Sequence, residues 1–263
     1  MKTLAKNWKK MYNYKELLKK KSLFILISSF LYEIILLREG YMKKENTSKI
    51  FLIFTSIYIT LILISNILAG RLISIGSISL TGAVIVFPFT YILSDIFTEV
   101  YGFNRNKKII WLSFICNLIM VLVFMIVLKL PYPDTFKSSK EYNLVLGTTP
   151  RNLIASLAGF LFGNFLNSMI LSKLKVVTKG RFLALRTITS TIFGEAIDTI
   201  AFIVIAFWGR FSNELLVFMI INQAIFKILI EIIATPITCK IINKVKKVEN
   251  EDIYDNDVKY NIF

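Results

Sequence analysis

The chain has 263 residues, of which 55% are hydrophobic, and its mean hydropathy is +0.63. A soluble domain of this length is less apolar, so the class is an all-α integral membrane protein. A net charge of +15 would suit a nucleic-acid partner, but the basic residues lie in short segments between apolar runs, as the positive-inside rule requires, and no direct nucleic-acid contact is implied.

Histidine is absent, and the two cysteines, Cys116 and Cys239, lie in or at the end of apolar runs. That leaves no metal site, no disulfide framework and no imidazole proton shuttle. A GxxxxGK[ST] loop is also missing, so the chain is not expected to hydrolyse ATP or to carry a cofactor.

Residues 1–21 carry eight Lys and one acid and form a basic arm. Residues 22–37 are apolar but 16 long and contain Glu33. No small-x-small cleavage site follows them, and spanning would place one of two basic segments on the wrong side. They are expected to form a peripheral, interfacial helix, so that 1–49 is an arm outside the bundle. Six runs long enough to span follow, at about 50–70, 80–100, 109–130, 152–172, 187–208 and 214–239. They predict a six-helix transmembrane bundle over 50–240 and a tail over 241–263. Loops 101–108 and 173–186 and the tail are rich in Lys and Arg, whereas 71–79, 131–151 and 209–213 are not. Both termini are therefore expected on the cytoplasmic side of the cell membrane. Thr149-Pro150 should begin the fourth span, with a Thr cap and Pro at the first helical position.

Polar residues inside these spans are the candidates for function. An ionisable side chain at mid-membrane costs roughly 2.5–3.5 kcal/mol. Glu195 and Asp198 lie near the middle of the fifth span on one face, with Thr187, Thr191 and Thr199 on or near it. In the second span Pro88 is expected to kink the helix, and Asp95 and Glu99 follow at i, i+4. Ser156, Gly159 and Gly163 form a small-residue seam in the fourth span, with Asn164 and Asn167 at its edge. Asn66 and Asn117 are further amides within spans. Lys227 and Glu231 stand at i, i+4 in the sixth span and predict an intrahelical ion pair, with Pro236 breaking or kinking the helix beyond. Four acids (Asp95, Glu195, Asp198, Glu231) against Lys227 favour a proton or a ligand rich in N–H donors over an anion. Phe87, Phe89, Tyr91, Phe97 and Trp208 could offer a stacking surface.

The segments SNILAGRL, FPFTYILSDIFTEVYG, LGTTPRNLIASLAGFLFGNFLNS, KLKVVTKGRFLALRTITSTIFGEAIDT and EDIYD, in this order over about 50–255, resemble the queuosine precursor transporter family, also labelled putative vitamin uptake transporters. The resemblance implies a six-helix importer of 7-deazaguanine bases such as 7-cyano-7-deazaguanine or queuine, salvaged for tRNA modification. It also implies a fold similar to the substrate-binding subunits of energy-coupled vitamin importers. Such a base presents an N1–H beside a 2-amino group, which one carboxylate can accept together. Asp198 or Glu195 would take that edge, with Asn66, Asn164 and Asn167 assisting. Asp95 and Glu99 also match family positions. The chain departs from the pattern at Glu195, where many relatives carry Gln, and at Arg71, where many carry Lys.

The alternative is a vitamin-binding subunit that works with an energising partner. Whether the bundle acts as a homo-oligomer is left open. An intramembrane hydrolase would need a second matching acid on a partner helix, which GEAIDT lacks. A purely structural protein would tolerate Ala at the buried acids.

Overall fold

A computed structural model describes residues 48–262 except 70, 76–77 and 148–149. The basic arm and the peripheral helix expected over 22–37 lie outside the described residues. Seven α-helices are described: α1 (Lys49–Leu68), α2 (Phe87–Tyr101), α3 (Phe103–Leu128), α4 (Ser139–Leu146), α5 (Pro150–Val177), α6 (Leu183–Phe207) and α7 (Asn213–Glu249). Between α1 and α2 runs an antiparallel hairpin, β1 (Leu72–Ile75) and β2 (Ile78–Thr81), with Leu72 opposite Thr81 and Ile75 opposite Ile78. A 3-10 turn over Gly82–Ile85 leads from the hairpin into α2.

Five helices, α1, α3, α5, α6 and α7, are long and apolar enough to cross a membrane. They coincide with five of the six predicted spans. Their outward side chains are apolar: Leu52, Ile53, Ile57, Leu122, Val127, Phe193, Ile225 and Ile233 are exposed. Such surface is costly in water and at home in lipid. Ser48 starts α1, its Oγ accepting from the backbone N–H of Ile50 and Phe51 at 3.1 and 3.2 Å.

The second predicted span takes a different form. Its helix, α2, has 15 residues and is about 22 Å long, short of a ~30 Å hydrocarbon core. A four-residue 3-10 turn precedes α2, and the hairpin lies before that turn. Unpaired sheet edges cannot face hydrocarbon, so the hairpin belongs at the membrane boundary. Pro88 falls in the first turn of α2, where no helical N–H is needed, so it starts the helix and does not kink it. Pro236 does not end α7 either, which runs through it for 37 residues in all.

α2 is the centre of the bundle, with every residue from Leu93 to Tyr101 buried. Its Leu93, Ile96, Phe97 and Val100 pack with Tyr58 and Ile62 of α1, Ile109 of α3, and Ile242 and Val245 of α7. α5 and α6 make the most extensive contact between helices. Their seam is as the small residues predicted: a Cβ on Gly163 would lie 2.7 Å from the Cβ of Asp198, and one on Gly194 would lie 2.8 Å from that of Asn167. At the end opposite the hairpin, residues 251–262 fold back across the bundle. Asp255 Oδ2 accepts from the Phe103 N–H at 2.9 Å and from Ser172 Oγ at 2.5 Å. Trp111 Nε1 donates to the Ile262 carbonyl at 2.8 Å, and Phe103 stacks near Tyr260. Gly102 takes φ +83° at the α2–α3 junction, and a Cβ there would meet Asp255 and Ile253 at 3.0 Å.

Candidate functional site

The predicted site residues fall into separate groups along the bundle. At the hairpin end, Asn66 Nδ2 donates to Asn117 Oδ1, and Ser156 Oγ donates to Asn66 Oδ1 at 2.8 Å. Asn66 and Ser156 line an open cleft with Met120, Phe124 and Phe202.

The middle group joins three helices. Lys227 of α7 reaches across to α6, its Nζ 2.5 Å from Asp198 Oδ2 and 3.1 Å from Glu195 Oε2. The same ammonium stands 3.9 Å from the centroid of the Phe87 ring at the start of α2. An ammonium between two carboxylates and over a ring face is held by Coulomb attraction and by the ring quadrupole. The expected Lys227–Glu231 pair is therefore not formed. The local i, i+4 spacing permits it, but rotation of α6 presents two carboxylates instead of one. Glu231 is buried, and its Oε1 has no hydrogen-bond partner. Val84, Phe87, Pro88, Glu195, Lys227 and Glu231 line a small recess beside it.

Next to this group, Asn167 Nδ2 donates to Asp95 Oδ1 at 2.9 Å, and Tyr58 donates to Asn164 Oδ1 at 3.0 Å. Asp95 Oδ2, Asn167 Oδ1 and the hydroxyls of Tyr91, Thr187, Thr191 and Thr199 are buried without a partner. A buried polar atom left unsatisfied costs about 1–3 kcal/mol, so each of these atoms is suited to a polar guest or to water. Tyr91 lies within electrostatic reach of Glu195, Asp198 and Glu231, and its ring is 4.8 Å from that of Phe87. Of the other aromatic candidates, Phe97 belongs to the core, while Phe89 and Trp208 are exposed.

Glu99 stands apart, at the end covered by residues 251–262. It is fully buried and holds Arg186 through both guanidinium nitrogens of the fork and Lys246 Nζ at 3.1 Å. Arg186 also donates to the Arg181 and Gly180 carbonyls. Lys175 Nζ donates to the Glu99 and Ile253 carbonyls at 2.6 Å and pairs with Asp252 at 2.6 Å, as Lys246 does at 2.8 Å. In sequence, Lys175 and Lys246 count only as orientation markers, and Arg186 as an orientation marker that also matches a family position. Their signal is weak because basic residues near span ends are usually solvated.

A sequence profile of the family described as "putative vitamin uptake transporter" matches residues 81–241, which is more than half of the chain and carries all of the middle group. The chain belongs to this putative vitamin uptake transporter family. A Bacillus subtilis (strain 168) protein named "Probable queuosine precursor transporter" is 23% identical over 173 residues, covering 65% of this chain and 76% of that protein. The Escherichia coli (strain K12) "Queuosine precursor transporter" is 27% identical over 172 residues, covering 64% and 75%. No solved structure matches. The region this chain shares with the vitamin uptake transporter family holds Asp95, Glu99, Asn164, Asn167, Glu195, Asp198, Lys227 and Glu231, whereas Asn66, Lys246 and Asp252 lie outside it.

Proposed function

We propose that this chain is a membrane importer of queuosine precursors, 7-deazaguanine bases, and that the base docks in the middle of the bundle on Asp198 and Glu195. The observation that carries this reading is the carboxylate pair beside the Phe87 ring, in a chain whose relatives are named for that cargo. A flat base with adjacent N–H donors suits two acceptors along its edge and a ring on its face. Asn66 and Ser156 place polar groups in a largely apolar open cleft at the hairpin end, which would serve as the approach. The Asp95–Asn167 pair, with a free acceptor on each residue, supports a second polar contact deeper in the bundle. Glu99 serves the ion cluster and not the ligand. Residues 50–240 form the transporting unit, the N-terminal arm and residues 241–263 face the cytoplasm of a bacterial cell, and the cargo leaves chemically unchanged.

Uptake complementation tests this in cells that cannot make deazaguanines. Supplying the nitrile, aminomethyl and queuine forms separately, with and without a proton gradient, should reveal at least one form that restores queuosine in tRNA. Asp198→Ala should abolish restoration while the protein still reaches the membrane. Normal queuosine in that variant would refute the assignment.

A further inference from the structure

The middle group contains more than the proposed docking needs, and the surplus is ordered. Two carboxylates and a ring face surround one ammonium, that of Lys227, at 2.5, 3.1 and 3.9 Å. A carboxylate oxygen can accept from two donors, but a flat ring laid on the Phe87 face needs the space over that face, which the ammonium fills at 3.9 Å. A displaced ammonium needs another counter-ion, because an unpaired charge inside the bundle is costly. One stands a helical turn away on the same face of α7. Glu231 lines the same recess, is 4% exposed, and has an oxygen, Oε1, with no hydrogen-bond partner. The lysine stem is flexible enough to reach it.

We propose that Lys227 is a tethered stand-in for the ligand, holding the Asp198 and Glu195 oxygens until paired N–H donors replace it and then moving to Glu231. This rests on the docking position proposed above. It makes Lys227 a positioning residue with two berths, and it gives the i, i+4 spacing of Lys227 and Glu231 a purpose that the observed pairing alone does not. Exchange of the ammonium for N–H donors keeps the Asp198 and Glu195 oxygens hydrogen-bonded during loading, while the positive charge passes to Glu231.

A double-mutant cycle on the purified full chain tests it. The probes are 7-cyano-7-deazaguanine and 2-aminobenzimidazole, a flat bicycle with an N–H beside an amino group. Glu231→Gln should weaken binding about tenfold when Lys227 is present, and by a factor of about two or less in the Lys227→Met background. Lys227→Gln serves as a second background should the Met variant not fold. The same loss from Glu231→Gln in both backgrounds overturns the proposal. Melting without any probe gives an independent reading: Asp198→Asn should lower the melting temperature more than Glu231→Gln. An equal drop would show that Glu231 is already the partner of Lys227 and would overturn it too. Coupling seen with 2-aminobenzimidazole, together with no binding of 7-cyano-7-deazaguanine, would sink the proposed cargo and leave the exchange intact. Binding of neither probe by any variant would sink the exchange.

Discussion

Glu99 and Arg186 are the most deeply buried opposite charges in the bundle, at 0% and 1% exposed. Removing Glu99 strands the buried Arg186 guanidinium, and removing Arg186 leaves Glu99 only Lys246, so either change leaves buried charge under-compensated. Glu99→Ala or Arg186→Ala alone should therefore cost about 3–5 kcal/mol. Glu99→Leu combined with Arg186→Met should cost less than either single change, because neither charge is then left behind. Thermal melting of the detergent-solubilised variants checks both the size and the sub-additivity. Neither the partnership nor its burial is legible in the sequence. Arg186 and Glu99 are 87 positions apart, and each sits near a span end where a solvated charge is the ordinary reading. Lys227 shows the same limit from the other side. Its nearest acid along α7 is visible in sequence, while Asp198, 29 positions away, becomes its partner only through the rotation of α6.

At the scale of the helix, α5 and α6 depend on having almost no side chain between them. Gly159 and Gly163 lie directly against Asp198, and Gly194 lies against Asn167. Gly163→Val would force the helices apart and tilt Asp198 away from Lys227. The expected cost is about 1–3 kcal/mol in stability from overpacking, with loss of uptake out of proportion to it. Measuring surface expression, melting and uptake on the same variant separates the two effects. The seam was legible because small residues at four-residue spacing mean close approach wherever helices meet. Helix positions were legible too, since hydropathy is a local property and α3, α5 and α6 start and stop within a few turns of their predicted spans. The hairpin and the shortened α2 were not. The run from Leu80 to Val100 reads as one predominantly apolar stretch, and its division into strand, 3-10 turn and helix follows from the chain turning back against α1.

Across the whole molecule, one end is tied by charge. Burial pushes the Asp252 carboxyl up, but hydrogen bonds from the Lys175 and Lys246 ammonium groups outweigh it and hold the carboxyl below its ordinary range. A depressed carboxylate contributes stability that is fully present above its unfolded value, near 3.8, and is lost as pH falls through the lower folded value. Docking of residues 251–262 should thus be constant near neutrality and loosen only in strong acid. Trp111 reports it, because its indole N–H donates to the Ile262 carbonyl. With Trp8 and Trp208 replaced by Phe, its emission should stay level down to about pH 4 and shift below that, and Asp252→Asn should abolish the pH-dependent part. The tail was legible only as a basic, polar stretch, since its role depends on contacts with residues made far earlier. That separation has a consequence in time. Asp255 caps α3 from 152 positions downstream, so a chain growing from its N-terminus inserts α3 long before its cap exists. The first half of the bundle must wait in the membrane with that helix start open, and the fold is locked only when its last contributing residues arrive.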